Sequence, residues 1–201
     1  MDSTAPIPPI KLLLSGYSYG ALVTRLLPEV VAFQSLFVNT RTGSAAVEIR
    51  LRARHLALSI LKLLPSFRDE NGTSLETHQA PEEAHEAIGL PEIAASYLLI
   101  SPILGSVAGL ATMFSSSSTD DERKLTTHPS LVVYGDSDVF TSRRKLRQWC
   151  ERLQAQAMGL NAKGFSFCEV EGAGHFWREA GSLECLKKTV REWVEDQVIG
   201  R

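Results

Sequence analysis

The amino-acid sequence predicts an α/β fold, a mostly parallel sheet of about four strands with helices on both faces. Four short apolar runs recur along the chain. Each run is followed by turn residues and then by a helical pattern. This alternation is typical of parallel sheets. The first three runs are apolar almost throughout, as expected for strands covered by helices on both sides. With 44% hydrophobic and 22% charged residues among 201, the composition indicates one soluble globular domain.

The predicted strands follow from these apolar runs. In chain order they are Lys11 to Ser15, Tyr97 to Ser101, Leu131 to Tyr134 and Phe165 to Val170. The first predicted helix follows Gly20, where apolar residues recur at helical spacing until Pro28. Two further helices are predicted to begin at the N-caps Ser142 and Ser182, and each carries one apolar stripe.

The predicted domain organisation is a single partial domain over residues 1–201. Residues 1–10, rich in proline, are expected to be a disordered N-terminal segment. Residues 32–95 separate the first two strands and are interpreted as an inserted, lid-like helical excursion, because an apolar helical run from Leu51 to Leu64 lies within them. The segment from Ser115 to Glu122 is predicted to be a second exposed loop.

Charge and cysteine content exclude several classes of function. The 21 basic and 23 acidic residues leave a net charge of −2, so no basic field is available to attract nucleic acid. The three cysteines are odd in number and widely spaced, which argues against a disulfide framework. Because the N-terminus also lacks the basic start of a secretion signal, a reducing, cytoplasmic location is expected.

One uncharged stretch is long enough to be considered as a membrane span. It runs for eighteen residues, from Tyr97 to Phe114, a length that could cross a bilayer. Ser101-Pro102, Gly105 and Gly109 interrupt it. We therefore interpret it as a buried strand followed by an apolar loop or short helix, and expect no membrane span.

The most specific motif lies between the first strand and the first helix. Gly16-Tyr17-Ser18-Tyr19-Gly20 is a G-x-S-x-G sequence after an apolar strand. A serine on such a tight turn needs neighbours without side chains two positions on either side, because the backbone folds closely on itself. Ser18 is therefore a candidate nucleophile, and the backbone N–H of Tyr19 is a candidate oxyanion donor at a helix N-terminus. The alternative is a plain strand–turn–helix connection.

An activated serine requires a base and an acid to orient that base. Gly135-Asp136-Ser137-Asp138 ends the third predicted strand, at the edge where parallel sheets place their ligands. Asp138, further into the loop, is the preferred acid. Asp136 is the alternative, although it is better suited to bond backbone N–H groups and hold the turn, and a further alternative is that both carboxylates only shape the loop. His175 follows the last strand in a glycine-flanked loop and is the candidate base.

His175 belongs to a third motif, Gly172-Ala173-Gly174-His175-Phe176. Taken together, the three motifs resemble the α/β-hydrolase superfamily, and among its members the small esterases related to dienelactone hydrolases, whose last motif similarly reads Gly-x-x-His-Phe. The resemblance implies Ser18 as nucleophile, Asp138 as acid and His175 as base, acting on a small-molecule ester or thioester. It implies no metal and no organic cofactor. It spans most of the chain outside the 32–95 excursion.

The sequence departs from that family before the first strand. Four further strands normally precede the nucleophile strand, and the loop after the third supplies a second oxyanion donor. About ten residues precede the strand here, so the chain resembles the C-terminal half of a hydrolase. We expect truncation, impaired catalysis and an exposed sheet edge that favours a homo-oligomer or a partner chain. The alternative function is a catalytically silent interaction module.

Overall fold

A computed structural model of the chain describes residues 9–30, 93–105, 122–160 and 164–200, with isolated positions at 32, 45, 47–49, 51, 52 and 55. The chain divides into two compact units, one formed by Met1–Pro28 with Glu92–Arg201 and the other by Glu29–Pro91. Within the described part of the second unit, Glu48 and Arg52 form an exposed ion pair one helical turn apart. Most of the Leu51–Leu64 run lies outside the described residues, and so does the predicted Ser115–Glu122 loop except for Glu122.

The described residues of the first unit form a sheet of four parallel strands in the order β1-β2-β3-β4, which confirms the predicted fold class. The strands are β1 (Ile10–Tyr17), β2 (Ile93–Ile100), β3 (Ser130–Gly135) and β4 (Phe165–Val170). β1 and β2 are longer than their apolar runs indicated. Ile10, expected in the N-terminal tail, pairs with Ile93, expected in the excursion, because a backbone ladder continues wherever two strands stay in register.

The described residues form four helices beside the sheet. They are α1 (Tyr19–Leu26), α2 (Arg123–Thr127), α3 (Arg143–Gly159) and α4 (Ser182–Trp193), and a π-helical segment, Val194–Ile199, continues the last of them. Pro28 follows the end of α1, as predicted. Ser142 is the N-cap of α3. Ser182 was predicted as a cap but is the first helical residue; Gly181 caps α4 because it adopts φ 78°, a conformation that glycine accommodates without strain.

Side chains alternate between the two faces of the sheet, and each face is covered. On one face Leu98, Leu131, Val133 and Val170 pack against Leu186 and Trp193 of α4. On the other face lies α3, whose buried residues recur every three or four positions: Leu146, Trp149, Cys150, Leu153 and Ala157. α1 lies on the same side as α3, since the Arg25 guanidinium stands 5.9 Å from the Trp149 ring. Helices therefore cover both faces, as predicted.

The prediction that Ser115 to Glu122 form an exposed loop is wrong at Glu122. Glu122 is buried; its carboxylate accepts hydrogen bonds from Trp149 Nε1 at 2.8 Å and from Arg152 at 2.7 Å, and lies 3.7 Å from Arg25. Basic partners on α1 and α3 compensate the buried charge. The helix that follows it, α2, was not predicted.

None of the helices formed by the described residues is long and apolar enough to cross a membrane. The uncharged stretch that raised the question begins within β2, at Tyr97, and continues without helix through Gly105. Its remainder, 106–114, lies outside the described residues.

Candidate active site

The Ser18 turn joins β1 to α1 with little space between them. Ser18 adopts φ 54° and ψ −116°, a strained conformation for a residue with a side chain. Its N–H donates to Ile100 O at 2.9 Å, which holds the turn against the end of β2. A Cβ added to Gly16 would lie 2.2 Å from the backbone of Gly20, so the position two residues before the serine requires glycine.

The sequence also predicted that close backbone approach requires glycine at position 20, and this reason is wrong. A Cβ added there meets no atom within 4 Å. Gly20 lies in the first turn of α1, and its Cβ direction points into open space rather than toward the strand. Only one of the two glycines in the motif is therefore required by close backbone approach.

The predicted oxyanion donor, Tyr19, is the first residue of α1. Backbone N–H groups in a first helical turn have no acceptor within the helix. Within the described segments no hydrogen bond is assigned to the Tyr19 N–H, whereas Ala21 N–H already donates to Ser18 O at 3.1 Å. The Tyr19 N–H is thus available to an anion beside Ser18.

The two candidate carboxylates have different partners. Asp136 Oδ1 accepts the N–H of Gly172 at 2.9 Å and the hydroxyl of Ser137 at 3.0 Å. Asp138 is buried, and its Oδ2 lies 2.7 Å from His175 Nδ1. The structure therefore brings Asp138 to His175 and leaves Asp136 in the turn.

His175 is buried between the two other candidates. Its Nε2 lies 2.8 Å from Ser18 Oγ, across 157 residues of sequence. The loop that carries it approaches the end of β3 closely, since a Cβ on Gly135 would lie 1.9 Å from Ala173 O. With the imidazole proton on Nδ1 donating to Asp138, Nε2 is free to accept the proton of the Ser18 hydroxyl. The catalytic roles themselves stay predictions.

Aromatic side chains surround the imidazole. Phe140 meets the His175 ring edge-on at 4.4 Å, and Phe176 does so at 5.1 Å. Tyr17 lies at 5.5 Å, and its hydroxyl donates to His175 O at 2.9 Å. Burial raises the pKa of the Tyr17 phenol, and the negative charge of Asp138 raises it further, against the effect of Arg178. Tyr17 therefore stays a neutral hydrogen-bond donor near neutral pH.

Sequence reasoning missed several residues that contact or support this site. Tyr17 and Phe140 lie beside named motif residues, but nothing in a single sequence marks their contacts with the histidine. Ser101 is buried at the end of β2 and contacts His175 O. The backbone N–H of Gly174 lowers the pKa of the Glu179 carboxylate. The one sequence signal that could have pointed to Ser101 is its position before a proline at a strand end.

The described residues contain no group of three or more histidine, cysteine, aspartate or glutamate side chains placed to hold a metal ion. The described geometry allows proton transfer between Ser18 Oγ and His175 Nε2, with Asp138 placed to orient the imidazole and balance its charge.

Comparison with solved structures finds four similar chains, two of which are described here. No protein-family model matches the chain, and no curated protein matches it. The crystal structure of esterase PE8 aligns with 50% of this chain at 16% identity and a TM-score of 0.29, and the chain spans 39% of that protein. A protein of unknown function from Agrobacterium tumefaciens, provisionally described as an alpha/beta hydrolase, aligns with 100% of this chain and 90% of its own length at 16% identity and a TM-score of 0.39. At such low scores neither similarity establishes what this chain does.

Proposed function

We propose that the protein is a serine hydrolase that cleaves small-molecule esters or thioesters through an acyl-enzyme intermediate. The observation that supports this proposal is the unbroken chain from Ser18 Oγ to His175 Nε2 at 2.8 Å and from His175 Nδ1 to Asp138 Oδ2 at 2.7 Å. The His175 and Asp138 side chains are almost fully buried. Water therefore competes little for the hydrogen bond that orients the base.

In the first half of the proposed reaction, Ser18 Oγ attacks the carbonyl carbon while His175 Nε2 takes the serine proton. Asp138 balances the imidazolium charge. The carbonyl oxygen becomes an oxyanion and accepts the Tyr19 N–H. When the tetrahedral intermediate collapses, the carbon–oxygen or carbon–sulfur bond breaks, and His175 returns the proton to the leaving alcohol or thiol. The acyl group remains on Ser18.

In the second half, water attacks the acyl carbon and His175 Nε2 takes its proton. Collapse expels Ser18 Oγ, which recovers the proton from His175. The net reaction consumes one water and releases one acid and one alcohol or thiol. Because no second oxyanion donor is assigned within the described residues, we expect slow turnover; losing one donor costs about 10²–10³-fold in rate.

The decisive experiment is labelling with a fluorophosphonate probe, which reacts with activated serines. We expect the purified chain to be labelled at Ser18 and Ser18→Ala to abolish labelling. Ser15→Ala is the matched control, since Ser15 is an exposed serine on β1, the strand that leads to Ser18, and it should label like the wild type. Hydrolysis of a p-nitrophenyl ester and of an acyl thioester then separates the two substrate classes.

The second candidate function is the catalytically silent interaction module, and the exposure of β1 favours it. Within the described part of the chain β1 pairs with β2 alone, and Ile10 and Leu13 on it are exposed. Exposed strand edges pair readily with other chains. A folded protein that the probe leaves unlabelled would contradict the hydrolase proposal and support this one.

A further inference from the structure

Strained backbone is concentrated around His175. Among the described residues, three non-glycine residues have positive φ: Ser18 at 54°, Ser101 at 46° and Trp177 at 55°. Ser18 contacts the His175 ring, Ser101 contacts its carbonyl, and Trp177 follows it by two residues. Such conformations are unfavourable and persist only where surrounding contacts hold them. The proposed mechanism uses Ser18 alone, so the other two need a separate explanation.

The Ser101 hydroxyl joins two parts of the histidine loop. Ser101 is fully buried at the end of β2. Its Oγ accepts a hydrogen bond from Trp177 Nε1 at 3.0 Å and donates to His175 O at 3.4 Å. A hydroxyl has one hydrogen and two lone pairs, so it can serve both partners at once. The Ser101 side chain therefore holds the loop by hydrogen bonds at two points, His175 and Trp177.

A second strand end holds the same carbonyl. The Tyr17 hydroxyl donates to His175 O at 2.9 Å from the end of β1. The main chain of His175 is consequently held from two neighbouring strands, while its ring meets Ser18 and Asp138. Both ring contacts depend on where that main chain lies.

We propose that Ser101 and Trp177 are positioning residues for His175. The Ser101 hydroxyl and the Trp177 indole hold the loop where both imidazole nitrogens reach their partners, at 2.7 and 2.8 Å. This role rests on the proposed function, in which His175 is the base. A displacement of about 1 Å in such a site can lower a rate by about a hundredfold.

The first test compares probe labelling by Ser101→Ala with that by Ser130→Ala. Ser130 is the matched control, because it is equally buried and its Oγ donates to a histidine carbonyl, His128 O, at 3.0 Å, but from the start of β3. We expect Ser101→Ala to slow inactivation at saturating fluorophosphonate by roughly ten- to a hundredfold, with unchanged probe affinity. Ser130→Ala should stay within about twofold of the wild type, since it does not touch the histidine loop.

Trp177→Phe provides a second variant, which keeps an aromatic side chain but removes the indole N–H together with the five-membered ring. We expect a smaller decrease than in Ser101→Ala, because the Ser101 hydroxyl can still donate to His175 O. This variant also carries the test if Ser101→Ala does not fold. Equal rates in the wild type, Ser101→Ala and Trp177→Phe would overturn the positioning role.

Proton NMR supplies a readout that does not depend on activity. The His175 Nδ1 proton, hydrogen-bonded to Asp138, should resonate far downfield in the wild type and in Ser130→Ala. In Ser101→Ala we expect it to move upfield or to broaden through exchange with water. If the wild type is not labelled, the hydrolase proposal fails, and this resonance alone decides whether Ser101 positions His175. An unchanged resonance in Ser101→Ala would overturn the inference.

Discussion

Asp138 uses its two carboxylate oxygens for different partners. Oδ2 meets His175 Nδ1, whereas Oδ1 accepts the backbone N–H groups of Phe140 at 2.8 Å and Thr141 at 3.0 Å. An asparagine could keep Oδ1 in place and turn its amide nitrogen toward the imidazole. That nitrogen donates, so Nδ1 would have to accept and the ring proton would move to Nε2. The ring could then no longer accept the serine proton.

We therefore expect Asp138→Asn to lower the rate of fluorophosphonate labelling by about 10⁴-fold while the fold is retained. Asp136→Asn should label at nearly the wild-type rate. It weakens the hydrogen bond from Gly172, so it should lower the free energy of unfolding by about 1 kcal/mol. Labelling rates and urea denaturation of both variants check this. The reverse pattern would show that Asp136 is the acid.

Glu179 links the stability of the histidine loop to pH. Hydrogen bonding from the Gly174 N–H, and from its own N–H, lowers the pKa of this carboxyl below its usual 4.5. A lowered folded-state pKa stabilises the fold above the unfolded-state value, and that stabilisation is lost as pH falls through the lowered value.

We expect Glu179→Gln to lower the melting temperature relative to the wild type at pH 7. The difference should shrink as pH falls below 4.5 and vanish below the lowered pKa, where both side chains are neutral. Thermal unfolding across this pH range checks the prediction. Glu171→Gln, an exposed carboxylate on the same loop, is the control. A difference that grows on acidification would contradict the assigned direction.

At the scale of elements, the junction of β1 and α1 distinguishes the two motif glycines. A Cβ at position 16 would lie 2.2 Å from the Gly20 backbone, whereas one at position 20 would meet nothing within 4 Å. The first substitution must displace the strand or the helix. The second only replaces glycine by a better helix former.

Gly16→Ala is therefore expected to lower the free energy of unfolding by about 1–3 kcal/mol and to abolish labelling of Ser18. Gly20→Ala is expected to raise that free energy by ~0.5–1 kcal/mol and to preserve labelling. Urea denaturation and probe labelling of the two variants measure both effects. Equal destabilisation by the two substitutions would show that the turn is not as close as described.

At the scale of the whole molecule, β1 is the exposed edge of the described sheet. Ile10 is 52% exposed and Leu13 is 38% exposed. Apolar edge strands favour pairing with another chain, and a lysine on such a strand opposes it.

We expect the purified protein to self-associate with rising concentration and Leu13→Lys to shift it toward monomer. Met158→Lys is the control, because Met158 is an exposed apolar residue on α3, away from the edge. Sedimentation velocity over a range of concentrations measures both. Equal self-association by wild type and Leu13→Lys would rule out this edge as the interface.

The sequence by itself determined the order of strands and helices in the described part and the three loops that meet at the site. Apolar runs and turn residues are local signals, and parallel strands place their carboxyl ends at one edge of the sheet. Ser18, Asp138 and His175 follow three such ends, so their proximity could be predicted without coordinates. Strand ends were less predictable, because pairing lengthened β1 and β2 beyond their apolar cores.

Only the tertiary structure decided which side chains meet across the fold. The burial of Glu122 with Arg25 and Arg152 depends on α1, α2 and α3 coming together, and a charged run carries no local sign of it. Ser101 contacts the histidine loop 74 residues further along the chain. Such contacts are set by the packing of distant segments rather than by local propensity, which is why a single sequence does not reveal them.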